Sequence, residues 1–281
     1  IIKTSSQLLF LSFIALFIFF GIQSSLVLVS IVSIFPLLVL YLIFTAYFFL
    51  KKSPSLFPKI KNFSRPLLNN IVKPGIIFFF IQACSLVLHS TDNLIILKLL
   101  SPTDVTTYNI SYQYFGAPFN FYTLFIASHW SSFIDATVNQ DYLWIKRKVS
   151  LFLKLFVLLI ISYVILFFCY DFIIPFWTKG SNIEIDPILN INMILFFLIS
   201  AFTTIFIYVI NAAGILRIQL AAYILIALIN IPISIILVKN LGFNSAGVIL
   251  ASSICLTILM VLVLIQYNKL VTQKLSGIWS K

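Results

Sequence analysis

Long apolar runs broken by short polar stretches dominate the chain. Eight runs, at roughly 4–22, 25–50, 74–97, 108–129, 149–176, 188–210, 216–238 and 245–267, each approach or exceed the about 20 mostly apolar residues that a helix needs to cross a hydrocarbon core. A chain in that core must satisfy its own backbone hydrogen bonds, so such runs are helices. The pattern predicts an all-α polytopic membrane protein with about eight transmembrane helices. Only Gly21-Ile22-Gln23-Ser24 separates the first two runs, which predicts a tight helical hairpin.

Composition sharpens this picture. Of 281 residues, 62% are apolar and 9% charged, against about 25% charged in an ordinary soluble domain. A secreted disulfide-stapled domain or a nucleic-acid-binding protein is excluded. The net charge of +11 belongs to the connections between runs, as the positive-inside rule requires. Placing Lys3 in the cytoplasm puts Lys51, Lys52, Lys59, Lys61, Arg65, Lys73, Lys146, Arg147, Lys148, Lys154, Arg217, Lys269, Lys274 and Lys281 there too. Of the 18 basic residues, only Lys98, Lys179 and Lys239 then fall outside. Both ends are expected in the cytoplasm. Cys84, Cys169 and Cys255 lie within apolar runs with no C-x-x-C pair, so they read as small apolar fillers. The chain opens on Ile1 with no cleavable leader before the first run, and is read as a fragment lacking its N-terminal part.

The segment 51–73 is the longest hydrophilic stretch. Phe57, Ile60, Phe63, Leu67 and Ile71 recur at near-helical spacing among Lys59, Lys61 and Arg65. This suits short basic amphipathic pieces on the membrane surface, interrupted by Pro58 and Pro66, or a plain solvated linker.

Polar residues inside spans line up on single helical faces, as residues facing a bundle interior or an aqueous cavity do. The third span carries Gln82, Ser85, His89 and Asp92. The fourth carries Asn109, Gln113, Gly116, Asn120 and Thr123. The sixth carries Ser200, Thr203, Thr204 and Asn211, and the seventh Gln219, Tyr223, Asn230 and Ser234. The fifth span holds few polar residues beyond Lys154 and Ser162, and is expected to face lipid. Cavity-lining candidates are therefore Gln82, Ser85, Asn109, Gln113, Asn120, Asn211, Gln219 and Asn230, with helix–helix glue as the alternative role of the small hydroxyl residues. His89 and Asp92, one turn apart, could hydrogen-bond and couple ion movement to a conformational change. Counting from Pro74 puts Asp92 roughly 27 Å along its helix, near the outer interface, where water also reaches it. Asp104, in a Ser-Pro-Thr-Asp turn, reads as a helix N-cap. No catalytic constellation, phosphate loop or metal motif is found, so neither enzyme activity nor a cofactor or metal is expected.

Three stretches resemble the lipid-linked oligosaccharide (O-antigen) flippases of bacterial surface polysaccharide synthesis, within the multidrug/oligosaccharidyl-lipid/polysaccharide exporter superfamily. They are STDNLIILKLLSPTDVTTYNISYQYF at 90–115, WSSFIDATVNQDYLWIKRKVS at 130–150, and NAAGILRIQ at 211–219 followed by NIPISIILVKNLGFNSAGVILASSI at 230–254. The resemblance covers about 70–281 and rests on the order and spacing of these stretches. It implies two six-helix lobes around a central cavity: 1–50 would close the N-terminal lobe, 51–73 would be the cytoplasmic linker, 74–270 the six-helix C-terminal lobe, and 271–281 a cytoplasmic tail. It further implies alternating access in the bacterial cytoplasmic (inner) membrane, carrying an undecaprenyl-pyrophosphate-linked oligosaccharide outward, alongside other polysaccharide-assembly membrane proteins. Arg217 and Lys73 are the candidate pyrophosphate contacts, because cations match phosphate oxygens. A multidrug exporter of the same superfamily is the alternative within transporters, and an integral-membrane polysaccharide polymerase or glycosyltransferase the alternative outside them.

Overall fold

The computed structural model describes residues 2–21, 25–59, 64–178 and 186–280. Among them there are helices and turns but no strand. The chain divides into two units, 1–67 and 68–281, within the segment read from the sequence as a linker.

In the first unit, α1 (Ile2–Phe19) packs against α2 (Leu26–Tyr47). Ser25 caps α2 by accepting from the Leu28 N–H at 3.2 Å, which supplies one of the orphan donors of a helix start. Beyond Tyr47 the helix continues through a π-helical turn, Phe48–Lys52, into a short 3-10 turn, Pro54–Leu56. Residues 60–63 of the expected amphipathic segment lie outside the described residues.

The long helix α3 (Arg65–Leu99) begins within the linker segment and opens the second unit. Pro66 does not break it, because the first turn of a helix has no intrahelical use for the missing N–H. At about 1.5 Å per residue α3 is roughly 52 Å long, well beyond a hydrocarbon core of about 30 Å. Then come α4 (Pro102–Ala127), the short α5 (Trp130–Val138), α6 (Tyr142–Trp177), α7 (Pro187–Ala212), α8 (Arg217–Lys239) and α9 (Asn244–Val271). The N-cap of α4 is Ser101 rather than Asp104. The Ser101 hydroxyl accepts from the Asp104 N–H at 3.2 Å and donates to Asp104 Oδ2 at 2.7 Å, so Asp104 is the third helical residue, bonded back to the cap.

Six helical segments are long and apolar enough to cross a membrane: Val27–Lys52, Ile71–Leu99, Tyr142–Trp177, Pro187–Ala212, Arg217–Lys239 and Asn244–Val271. The chain is a multi-pass α-helical membrane protein. The remaining two expected spans fall on α1, whose apolar stretch Ser5–Phe19 is short, and on the polar α4.

Side-chain bonds fix the antiparallel order of the second unit. Tyr114 Oη donates to Leu166 O and Tyr122 Oη to Phe152 O, both at 3.0 Å, pinning α4 to α6. Ser111 Oγ donates to Asn190 Oδ1 at 3.0 Å, tying α4 to α7. One end of the unit carries α5, the α7–α8 turn and the basic residues Lys146, Arg147, Lys148, Arg217, Lys269 and Lys274, and is called the basic end below. Gly214 and Gly242 sit at φ 72° and 68° in the turns on either side of α8, a conformation that a Cβ makes costly.

The core is aromatic between α4, α6 and α7, where Phe115, Phe152, Tyr163 and Phe197 are fully buried. Between α8 and α9 it is built of small residues. Gly247 lies so close to α8 that an added Cβ would meet Leu237 Cβ at 3.1 Å and the Leu237 backbone carbon at 3.2 Å, the close approach that small residues permit in membranes. α6 buries one face, including Phe152, Leu159 and Tyr163, and exposes Leu158, Ile161, Ile165 and Phe168. That agrees with the lipid-facing role expected of the fifth span. The residues after α9 do not hang free. A 3-10 turn, Gly277–Ser280, packs on α8, and the buried Gln266 amide donates to Ile215 O and Trp279 O at 3.3 and 3.4 Å.

Candidate functional site

Two adjoining cavities lie between α3 and the helices beside it. The outer one, about 510 Å³, is walled by Phe78, Gln82 and Ser85 of α3, Trp130 of α5, Tyr208 and Asn211 of α7, and Gln219 and Tyr223 of α8. It lies at the basic end. The inner one, about 190 Å³, continues toward the middle of the bundle between Ser85, Tyr112, Phe119, Phe196, Ser200, Thr203, Thr204, Tyr223 and Ser252. Ser85, Ile207 and Tyr223 belong to both walls, so the two cavities adjoin.

The helical periodicity of α3, α7 and α8 explains this wall. Residues three and four apart share a face, which brings Gln82 with Ser85, Ser200 with Thr203 and Thr204, and Gln219 with Tyr223. The hydroxyls of Ser200, Thr203 and Thr204 donate to Phe196 O, Ile199 O and Ser200 O at 2.7, 2.6 and 2.7 Å. Their hydrogens are spent inside the helix, so lone pairs and methyl groups are left for a ligand. The side-chain carbonyls of Asn211 and Gln219 have no hydrogen-bond partner among the described residues. Rings complete the surface: Tyr112 packs on Phe197 at 5.0 Å and Trp130 edge-on to Tyr208 at 5.6 Å. Such a wall offers acceptors, amides and flat aromatic faces, and the residues named in it bear no formal charge.

Gln82, Ser85, Asn211 and Gln219 line the outer cavity. Asn230 is fully buried deeper in the bundle, where its amide donates to Ser252 Oγ at 3.0 Å. Three residues of α4 depart from expectation. Asn109 donates to Asn93 Oδ1 on α3 at 3.2 Å and to its own helix at Val105 O. Gln113 and Asn120 are exposed, and Gln113 shares an apolar groove between α4 and α6 with Leu158 and Phe121. A shared helical face does not say which way it points. In α4 the aromatic residues Tyr108, Phe115 and Tyr122 are buried, and Tyr112 and Phe119 reach the inner cavity. Arg217, the first residue of α8, and Lys73 are both exposed and line neither cavity.

Asp92 is sealed rather than hydrated. It is 2% exposed, and its Oδ2 accepts from Tyr108 Oη at 2.9 Å across the α3–α4 turn. Ser252 of α9 faces the same carboxylate. The side chain of His89 lies outside the described residues, and with it the expected His89–Asp92 pair. Tyr108, Tyr112, Trp130, Tyr208 and Ser252 are the site residues that sequence reading missed. Aromatic residues in a membrane span read as core or lipid contacts, and a serine in α9 reads as packing. The usable signal was position: Asp92 and Tyr108 are nearly equidistant from the Ser101-Pro102 turn, so an antiparallel pair of helices brings them level. Comparison with family models, with curated proteins and with solved structures gives no match to this chain.

Proposed function

We propose that the protein is a transporter that moves a lipid-linked oligosaccharide across the bacterial cytoplasmic membrane by alternating access. The observation that carries this reading is the pair of adjoining cavities, one at the basic end and one deeper in the bundle, lined by hydroxyls, amides and aromatic rings. Sugars present alternating hydroxyls and apolar ring faces, which such a wall can hydrogen-bond and stack against. Asp92 lines neither cavity, which favours a neutral glycan over the cationic cargo of a drug exporter. The three stretches at 90–115, 130–150 and 211–254 that resemble oligosaccharide flippases support the same reading. So do the basic residues gathered at the end where the outer cavity lies, the side facing the cytoplasm under the positive-inside rule.

In this reading α1 and α4 also cross the membrane, giving eight spans. The unit 68–281 is the C-terminal lobe, and Asp92 is the ion-coupling residue. Exposed Arg217, at the start of α8 where the helix dipole also favours anions, and Lys73 meet the pyrophosphate as it approaches along the membrane surface.

The test is deletion of the full-length gene in its host. Complete repeat units accumulating on the lipid carrier, with loss of surface glycan, place the block at translocation. Unchanged surface glycan with no carrier-linked build-up, in a strain with no second flippase, overturns the proposal.

A further inference from the structure

On α4, Tyr112 and Phe119 reach the inner cavity, and the opposite face of the same helix borders a separate hollow. There Tyr114, Ala117 and Phe121 of α4 and Leu155, Leu158 and Leu166 of α6 wall an apolar groove of about 820 Å³. Its floor is held in place. Tyr114 and Tyr122 both line it, and their hydroxyls are tied to Leu166 O and Phe152 O at 3.0 Å, so the rings cannot swing in and fill it. Ala117, exposed between them, is too small to do so. From Leu155 to Leu166 the groove runs about 17 Å at about 1.5 Å per residue. That is about the depth of one leaflet in a hydrocarbon core of about 30 Å.

The end of this groove nearest the basic end is cationic. Arg147, Leu151, Lys154 and Leu158 follow at i, i+4, i+7 and i+11 and are all exposed, so they share one face of α6, which enters the groove at Leu158. α6 starts at the basic end, and helical side chains lean toward the N-terminus of their helix, so Lys154 leans toward Arg147. Neither cation forms an ion pair with a described residue. Asp141, at the start of α6, is occupied in capping it and accepts from the Trp144 N–H at 3.0 Å.

We propose that the groove binds an anionic phospholipid of the surrounding bilayer, with one acyl chain lying on Tyr114, Tyr122 and Leu158 and the phosphate between Arg147 and Lys154. Basic pockets between membrane helices on the cytoplasmic side hold anionic headgroups in this way. A zwitterionic lipid would bring its ammonium group against two cations with no free acid between them to receive it. The lipid is resident and is not the cargo, because α4 stands between the groove and the polar cavities. Its chain packs on both helices and adds to the two tyrosine bonds that join them. The site requires only that this face of α4 and α6 meets the bilayer, so it stands apart from the transporter reading.

The experiment uses full-length protein purified in detergent and stripped of native lipid. Thermal unfolding is followed as phosphatidylglycerol or phosphatidylcholine with the same acyl chains is added in mixed micelles, with inorganic phosphate and undecaprenyl phosphate as further probes. The expected result is a saturable rise of the unfolding midpoint with phosphatidylglycerol that phosphatidylcholine and inorganic phosphate do not reproduce. Replacing both cations, Arg147→Gln with Lys154→Gln, weakens the apparent affinity roughly tenfold or more, the scale for losing two basic residues at an anionic surface. Ala117→Phe fills the groove and abolishes the response. Should Ala117→Phe fail to fold, the exposed Arg147 and Lys154 variants carry the test. Equal responses to the two phospholipids, or to inorganic phosphate alone, overturn the proposal. So does an undiminished response to phosphatidylglycerol in the variants that fold, which places the lipid elsewhere. Undecaprenyl phosphate that displaces phosphatidylglycerol and is itself weakened by Ala117→Phe also overturns it, by assigning the groove to a carrier chain.

Discussion

Replacing Tyr108 with phenylalanine removes one hydroxyl and little else. That hydroxyl donates to Asp92 at 2.9 Å, with both residues almost fully buried. Hydrogen bonds between neutral side chains inside membranes contribute modestly, on average about 0.6 kcal/mol in double-mutant cycles. A bond to a charged acceptor contributes about 1.5–3 kcal/mol. Asp92 as a carboxylate belongs to the second class, so Tyr108→Phe is expected to destabilise the protein by about 1.5–3 kcal/mol. A cycle with Asp92→Leu isolates the pair, because leucine removes the acceptor without leaving an unpaired buried charge. Unfolding free energies of the wild type, both single variants and the double variant are measured by denaturation in mixed micelles. The expected coupling exceeds about 1.5 kcal/mol. Additivity within about 0.5 kcal/mol would refute a charge-assisted bond at this position.

Other expectations follow from packing and accessibility. Gly247→Ala drives a methyl into the Cβ and backbone of Leu237 and should cost about 1–3 kcal/mol. Gly116→Ala meets only the tip of the Phe197 ring at 3.2 Å; a small tilt relieves this, and the roughly 1 kcal/mol gain in helix propensity offsets it. A larger loss at Gly116 than at Gly247, measured by unfolding, would contradict this account. Gln266→Leu removes the amide shared by Ile215 O and Trp279 O, so trypsin should cleave at Lys274 faster; unchanged cleavage would show that the amide does not hold the tail. In a background lacking Cys84, Cys169 and Cys255, cysteines at Ser200, Thr204 and Asn211 should react with a water-soluble maleimide. Cysteines at Gln113 and Leu158, which share the apolar groove, should resist. Equal labelling of the two groups would deny that the cavities are aqueous.

The helices were legible because membrane solvent leaves the backbone few options, and runs of apolar residues mark them directly. α4, expected as the run 108–129, was legible as a helix although its 26 residues carry tyrosines, asparagines and a glutamine. The stripes on α7 and α8 pointed inward as expected, since the opposite faces of those helices are plain hydrocarbon. On α4 both faces had something to bury, and ring packing decided the rotation: Phe115 and Tyr122 took the core, and Gln113 turned outward. Water was expected at Asp92 because a count from Pro74 gives position along the helix and not what packs over it. The helix starts at Arg65, and a tyrosine from the next helix covers the carboxylate. That cover is a tertiary contact, which no periodicity within α3 encodes.

Translocation itself is the most direct measurement. Full-length protein is reconstituted into liposomes carrying an undecaprenyl-pyrophosphate-linked oligosaccharide, loaded so that the glycan of one leaflet is protected from a soluble glycosidase. The account predicts that the protein exposes the protected glycan to the enzyme, that exposure slows when bulky residues replace Ser200 and Thr204, and that Leu158→Trp on the lipid face leaves it unchanged. Protection as complete with the protein as in protein-free liposomes would contradict the account.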